Sequence, residues 1–241
     1  MRSSAARILL VSLIAAMSLP AGLTGCGVNF YAGRPTDVLR IQELSAELER
    51  LRLQKQAEAD QLREAYAALQ SRLQREISDN EVKLEMAERG LVLTFVSEVL
   101  FDSGKAALRP EAQQTLSKVA GVIREKVSDR EIGIEGHTDN EPIKHSGWKS
   151  NWELSTSRAT SVLHALEEGG VNPRRMVASG YGEYRPVTTN DRPERRQKNR
   201  RVEVVILPKQ LTQRERELIQ AGATSGEPDV VRKAKSLEKY K

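Results

Sequence analysis

One cysteine, Cys26, in a chain of 241 residues excludes an internal disulfide and any metal site built on clustered thiolates. Aromatic residues make up only 4% and hydrophobic residues 39%, too thin for one large globular core and suited to a long helix beside a modest domain. Glycine and proline are missing from residue 36 to residue 89, which removes the usual turn signals from that stretch. There is no H-E-x-x-H, and the three histidines, His137, His145 and His164, do not form a zinc motif. Charge of one sign is missing too. Lys and Arg number 38 against 33 Asp and Glu, for a net +5 of which Arg2 and Arg7 supply two, too weak a balance to argue for a nucleic-acid partner.

What is present begins with an address. Arg2 and Arg7 form a basic start, and Ile8 to Leu19 an apolar run too short to span a bilayer, which needs about 20 residues. Residues 1–25 therefore read as a signal peptide. Leu23-Thr24-Gly25-Cys26 resembles a bacterial lipobox, which implies a diacylglycerol on the Cys26 sulfur, cleavage before it and acylation, for instance by palmitate, of the new amino group. Several acyl chains anchor stably where one does not. Gly27 rather than aspartate follows, which favours the outer membrane. Residues 26–35 read as the lipidated terminus and a linker.

Residues 36–89 are rich in Leu, Ala, Glu, Gln and Arg and read as one long helix, roughly 80 Å if continuous. Ile41, Leu44, Leu48 and Leu51 follow a coiled-coil spacing. The heptad then fails at Lys55 and Glu58, and Leu51, Leu62, Leu73 and Leu84 recur every eleven residues, the spacing of a straight or slightly right-handed supercoil. The stretch is expected to be a spacer that self-associates into a homo-oligomer. Ser78-Asp79-Asn80-Glu81 resembles a capping box and marks a break. Gly90 suits a helix C-cap.

From residue 90 to 208 the pattern changes. Leu91–Phe95 and Val99–Phe101 read as strands. Glu111–Lys126 reads as an amphipathic helix with Leu116, Val119, Ala120 and Ile123 inward, and Ile132–Glu135 as a half-buried strand. Asp139 stands just past that strand. Ser150 with Glu153 opens a second helix. On it, Leu154, Arg158, Val162 and Leu166 share one stripe, so Arg158 sits in the middle of an apolar face. A guanidinium cannot shed its charge and needs a partner when buried. An ion pair with Asp139, a head reaching water and a ligand contact all satisfy that need. Met176–Ser179 and Val202–Leu207 read as the last strands. Between them lies a basic loop, and residues 209–241 form a polar, partly disordered tail.

Taken in order, G-H-T-D at 136–139, N-x-x-L-S-x-x-R-A from Asn151, G-Y-G from Gly180 and N-R-R-V-E from Asn199 resemble the OmpA-like peptidoglycan-binding domain. The loop 140–150 and Asn-Trp-Glu-Leu-Ser are closer to the family's flagellar stator members. The resemblance implies an α+β fold, a two-layer sandwich of a mixed four-stranded sheet and helices, here preceded by the long helix. It implies a ligand, the diaminopimelate residue of a stem peptide. Asp139 would take its ammonium and Arg158 would fork onto its carboxylate. Asn151, Thr138, Leu154 and Arg201 would support them. Phe101-Asp102-Ser103-Gly104 resembles the family's segment that frames the site, though a plain turn explains it equally. Trp148 either covers the ligand or anchors its loop. No bond is broken in this reading, so no enzyme, cofactor or metal is expected. The expectation is an outer-membrane lipoprotein facing the periplasm that ties the membrane to peptidoglycan. The rivals are an accessory wall anchor of a larger envelope or motor complex and, from a different class, a metal-dependent cell-wall peptidase built on the His137-x-Asp139 pair.

Overall fold

The structure, a computed structural model, describes residues 35–144, 146–210 and 212–224. The signal segment, Cys26 and residues 225–241 lie outside the described residues. The chain divides into two compact units, Met1–Arg40 and Ile41–Lys241, and apart from the start of the first helix all that follows concerns the second.

The order is α1 (Pro35–Arg72), α2 (Gln74–Ser78), β1 (Val82–Ala87), β2 (Gly90–Val96), α3 (Ser97–Leu100), α4 (Pro110–Lys126), β3 (Ile132–His137), α5 (Asn151–Glu168), β4 (Met176–Gly180), α6 (Pro193–Asn199), β5 (Arg201–Ile206) and α7 (Gln213–Thr224). Five strands pair in the order β1-β2-β5-β3-β4, antiparallel except for β3 with β4. That parallel pair is joined through α5, as parallel neighbours require a crossover. The α+β fold with a mixed sheet is as expected, with a fifth strand in place of four.

The extra strand comes from the stretch expected to be helical through residue 89. The long helix ends at Arg72. After α2, Asn80 turns the chain at φ +58°, a left-handed value that asparagine tolerates. β1 then pairs with β2. Gly90 caps no helix. At φ +123° it opens β2 across from Ala87, and a Cβ there would lie 2.1 Å from the carbonyl oxygen of Ile206. Propensity favoured helix over Val82–Ala87, and hairpin pairing overrode it. Val99–Phe101 is likewise no strand. Ser97–Leu100 is a helical turn, and Phe101 only bridges Leu108.

The core lies between the helices and one sheet face. Leu91, Leu93 and Phe95 of β2, Val202, Val204 and Ile206 of β5, and Ile132 and Ile134 of β3 point into it. Leu116, Val119, Ala120 and Ile123 of α4 and Val162 and Leu166 of α5 meet them. The eleven-residue leucine series is also spent here. Leu62 and Leu73, with Ala65 and Leu69 between them, are buried in this core, and Leu84 packs against it. Each fully buried leucine is worth about 1.5–3 kcal/mol. The part of the expected face from Leu62 to Leu84 is thus turned onto the chain's own domain, while Ile41, Leu44, Leu48 and Leu51 are not part of this core. Polar contacts follow the same seam. Arg130, fully buried, donates to Gln61 Oε1 at 2.9 Å, Gln61 donates to the Lys126 carbonyl at 2.9 Å, and Arg72 pairs with Glu125 at 2.5 Å. Among the described residues no helix is long and apolar enough to cross a membrane.

Candidate functional site

A cleft of about 1040 Å³ opens where the end of β3, the start of α5 and the loop after α3 converge. Thr138, Asp139, Asn151, Leu154 and Arg158 all line it, together with Phe101, Asp102, Lys105 and Arg200.

Close helix–strand contact makes this convergence. Gly136 of β3 lies against α5 so tightly that a Cβ would sit 2.1 Å from the Ser155 carbonyl oxygen. Its register partner Gly180 on β4 meets Thr156 in the same way. Two side-chain-free positions therefore let the first turn of α5 settle on the sheet. Ser150 caps that turn, accepting from the Trp152 N–H at 3.1 Å and donating its hydroxyl to the Glu153 carboxylate.

Arg158 is 5% exposed, with its guanidinium 5.1 Å from the centre of the Phe101 ring. It donates to the Lys105 carbonyl at 2.9 Å and more weakly to Ser97 Oγ at 3.4 Å and the Asp102 carbonyl at 3.5 Å. Among the described residues no carboxylate forms an ion pair with it. The pair with Asp139 that spacing allowed is not made. Burial, with the Arg200 charge nearby, holds its pKa below the ordinary arginine value against the more distant pull of Glu98 and Asp139. A guanidinium carries five donors and stays charged, so donors remain for an anion entering the cleft.

Asp139 is engaged elsewhere. It is 5% exposed and accepts from the Glu141 N–H at 3.1 Å and from Arg200 Nη1 at 2.6 Å. Arg200 is held in turn by Glu98, with Nε to Oε1 at 2.6 Å. Burial works against the Arg200 charge, but the bonds to Asp139 and Glu98 outweigh it and its pKa is raised. A carboxylate has about four lone-pair sites; two are used here, which leaves Asp139 able to accept from a ligand. Asn151 Nδ2 ties the start of α5 to the carbonyls of Asp139 (3.3 Å) and Glu141 (3.1 Å) and to Glu183 (3.0 Å). The Thr138 hydroxyl is buried in the cleft wall without a partner.

Arg201 does not line the cleft. It lies on the opposite sheet face, donating to Glu203 at 2.6 Å and to the carbonyls of Asn199 and Arg185. The arginine facing the cleft is its neighbour Arg200. Adjacent strand residues point to opposite faces, so the choice depends on a one-residue register that the motif alone does not reveal. The end of β3 separates the H-x-D pair, because His137 is the last strand residue and Asp139 lies beyond it, outside the alternation. His137 faces away from the cleft, stacked on Tyr181 with centroids 5.3 Å apart, and only Asp139 reaches the cleft. Burial, with the Arg201 charge beside it, pushes the His137 imidazole down to about 3.

Residues 141–144 and Ser146 of the loop before α5 form one wall. Trp148 anchors that loop, donating from Nε1 to the Gly104 carbonyl at 2.9 Å. Trp148→Phe keeps the ring and removes this bond. A loss of about 1 kcal/mol in chemical denaturation is expected, and an unchanged midpoint would contradict the anchoring role. The Phe101–Gly104 segment does more than turn, because its backbone, with that of Lys105, supplies the carbonyls that orient Arg158. No side-chain pattern signals carbonyl acceptors, so sequence reading missed them.

Residues 100–200 match the model described as the OmpA family. The chain is similar to Motility protein B of Bacillus subtilis, 37% identical over 156 residues, covering 64% of this chain and 59% of that relative's length. It is 32% identical over 126 residues to the outer-membrane lipoprotein YfiB of Pseudomonas aeruginosa, covering 52% of this chain and 72% of that one. Among solved structures it resembles the cell wall anchor of the T6SS from Pseudomonas aeruginosa, with a TM-score of 0.54 at 33% identity, over 58% of this chain and 97% of that one. With its mixed sheet, helical layer and the motif residues gathered at one end of β3, the chain belongs to the OmpA family.

Proposed function

We propose that the cleft binds peptidoglycan non-covalently by holding the free end of a diaminopimelate residue. That end carries an ammonium and a carboxylate on one carbon. Arg158, buried and in no ion pair among the described residues, supplies a two-pronged donor for the carboxylate. Asp139, with lone pairs to spare, accepts from the ammonium. Thr138, Asn151 and Leu154 complete the wall. The single observation that carries this reading is a desolvated cation facing open space, since a charge buried for folding alone is normally paired. The names of the relatives, a cell wall anchor and an outer-membrane lipoprotein, support it.

In this account the signal segment 1–25 is removed, lipid on Cys26 holds the chain in the outer membrane facing the periplasm, and the domain grips the wall. The cleft binds and breaks no bond. Similarity to Motility protein B favours one second reading, a wall-anchoring subunit of a motor or other envelope complex, which uses the same cleft. Co-sedimentation with purified diaminopimelate-type sacculi tests the shared claim. The protein is expected in the pellet, and its retention in the supernatant would overturn the proposal.

A further inference from the structure

The sheet face opposite the helices carries a cluster that the cleft does not use. Glu135 of β3 and Glu203 of β5 are register partners, and His137 follows two residues along β3 on the same face. One ligand atom from each lies within 4.8 Å of the others. Like charges directly opposite each other on neighbouring strands repel, so the pair of glutamates calls for a cation between them. In this structure Arg89, from the turn between β1 and β2, fills that place. Its Nη1 lies 2.7 Å from Glu135 Oε2 and its Nη2 contacts Glu203. The Arg89 side chain is 43% exposed. Arg201 stays on the other oxygen of Glu203 at 2.6 Å.

The histidine is the second, independent observation. His137 is 2% exposed, and neither ring nitrogen has a hydrogen-bond partner. Its Nε2 points toward Glu135 Oε2 at 3.9 Å, beyond hydrogen-bond range. Buried polar groups of this kind are rare in native proteins and call for an explanation. Arg89 answers the glutamates and leaves the imidazole unanswered.

We propose that Glu135, His137 and Glu203 form a binding site for a divalent metal of the zinc class, occupied when Arg89 swings out. One imidazole nitrogen and two carboxylate oxygens suit Zn²⁺, which binds both at about 2.0–2.2 Å, with water in the fourth position. Tetrahedral donors then stand about 3.3 Å apart, a modest contraction from the present spacing. The nitrogen donor argues against Mg²⁺ and Ca²⁺, which prefer all-oxygen shells. The two carboxylates supply the anionic donors, and Arg201, which stays on Glu203, offsets part of their charge. The site is separate from the cleft, because His137 faces the other side of the sheet, and it does not rest on the peptidoglycan reading. The sequence carries no metal motif for it, since strand register brings the three residues together.

Isothermal titration of the purified protein with ZnCl₂ tests this, with melting curves to confirm that each variant is folded. One Zn²⁺ per chain is expected. His137→Gln and Glu135→Gln should each weaken binding at least tenfold. Arg89→Ala should strengthen it about tenfold, because the competing guanidinium is gone. That sign separates this site from adventitious binding, for instance at exposed His164 with Glu167, which Arg89 does not touch. If His137→Gln fails to fold, Glu135→Gln decides, since that side chain is 19% exposed and lies at the cluster's edge. No zinc binding, binding that persists in Glu135→Gln, or Arg89→Ala binding no tighter than the parent would overturn the proposal.

Discussion

Arg158→Met is expected to lower sacculus affinity ten- to a hundredfold while leaving the domain folded. A charged, partly desolvated contact is typically worth about 1.5–3 kcal/mol, which gives that range. The stability side of the prediction separates binding from folding. Breaking a buried ion pair strands a charge and costs about 3–5 kcal/mol. Arg158 is in no ion pair among the described residues, so its removal gives up the bonds to the Lys105 and Asp102 carbonyls and to Ser97, the contact with the Phe101 ring and the longer-range attraction of Glu98 and Asp139. Arg158→Lys should also lose most of the binding, because the charge remains but the fork does not. Asp139→Asn makes the complementary case. It loosens Arg200, which keeps Glu98, so its melting temperature should fall moderately while binding falls strongly. A sharply lowered melting temperature with near-normal binding in either variant would move that residue from the binding site to the framework.

Gly136→Ala should destabilise the protein by about 3 kcal/mol or more and abolish binding with it. The added methyl would lie 2.1 Å from the Ser155 carbonyl oxygen and 2.8 Å from its carbon. The obstacle is helix backbone, so no side chain can rotate away. Overpacking costs about 1–3 kcal/mol where neighbours adjust, and the rigid obstacle puts this case at the upper end or beyond. Function follows because Gly136 precedes Asp139 by three residues and Ser155 precedes Arg158 by three. The contact sets the separation of the two charges. Denaturant titration gives the stability, and a loss below 1 kcal/mol would show that β3 and α5 have room to spare.

Much of the site was legible in the sequence because its residues sit where local rules are strong. The Ser150–Glu153 cap placed the start of α5, and helical spacing placed Arg158 on the buried face. Asp139 followed from a clear strand end. What was not legible depended on partners distant in the chain. Arg200 lies in the cleft and Arg201 behind the sheet because β5 enters in one register and not the next. The leucines of α1 looked like a seam for another copy, since an apolar stripe does not say what covers it. β1 was read as helix because Val82–Ala87 carries no turn residue, and its strand form depends on β2 beside it. The carbonyls that orient Arg158 leave no trace in side-chain pattern at all.

The central claim is that Asp139 and Arg158 together recognise a zwitterion. The most direct measurement is calorimetric binding of two soluble muropeptides, one with diaminopimelate at the third stem position and one with lysine there. Lysine ends in the ammonium alone and lacks the second carboxylate. The account predicts binding of the diaminopimelate form and an affinity at least tenfold lower for the lysine form, with Arg158→Met erasing the difference. Equal affinity for the two peptides, or a preference that survives Arg158→Met, would contradict it.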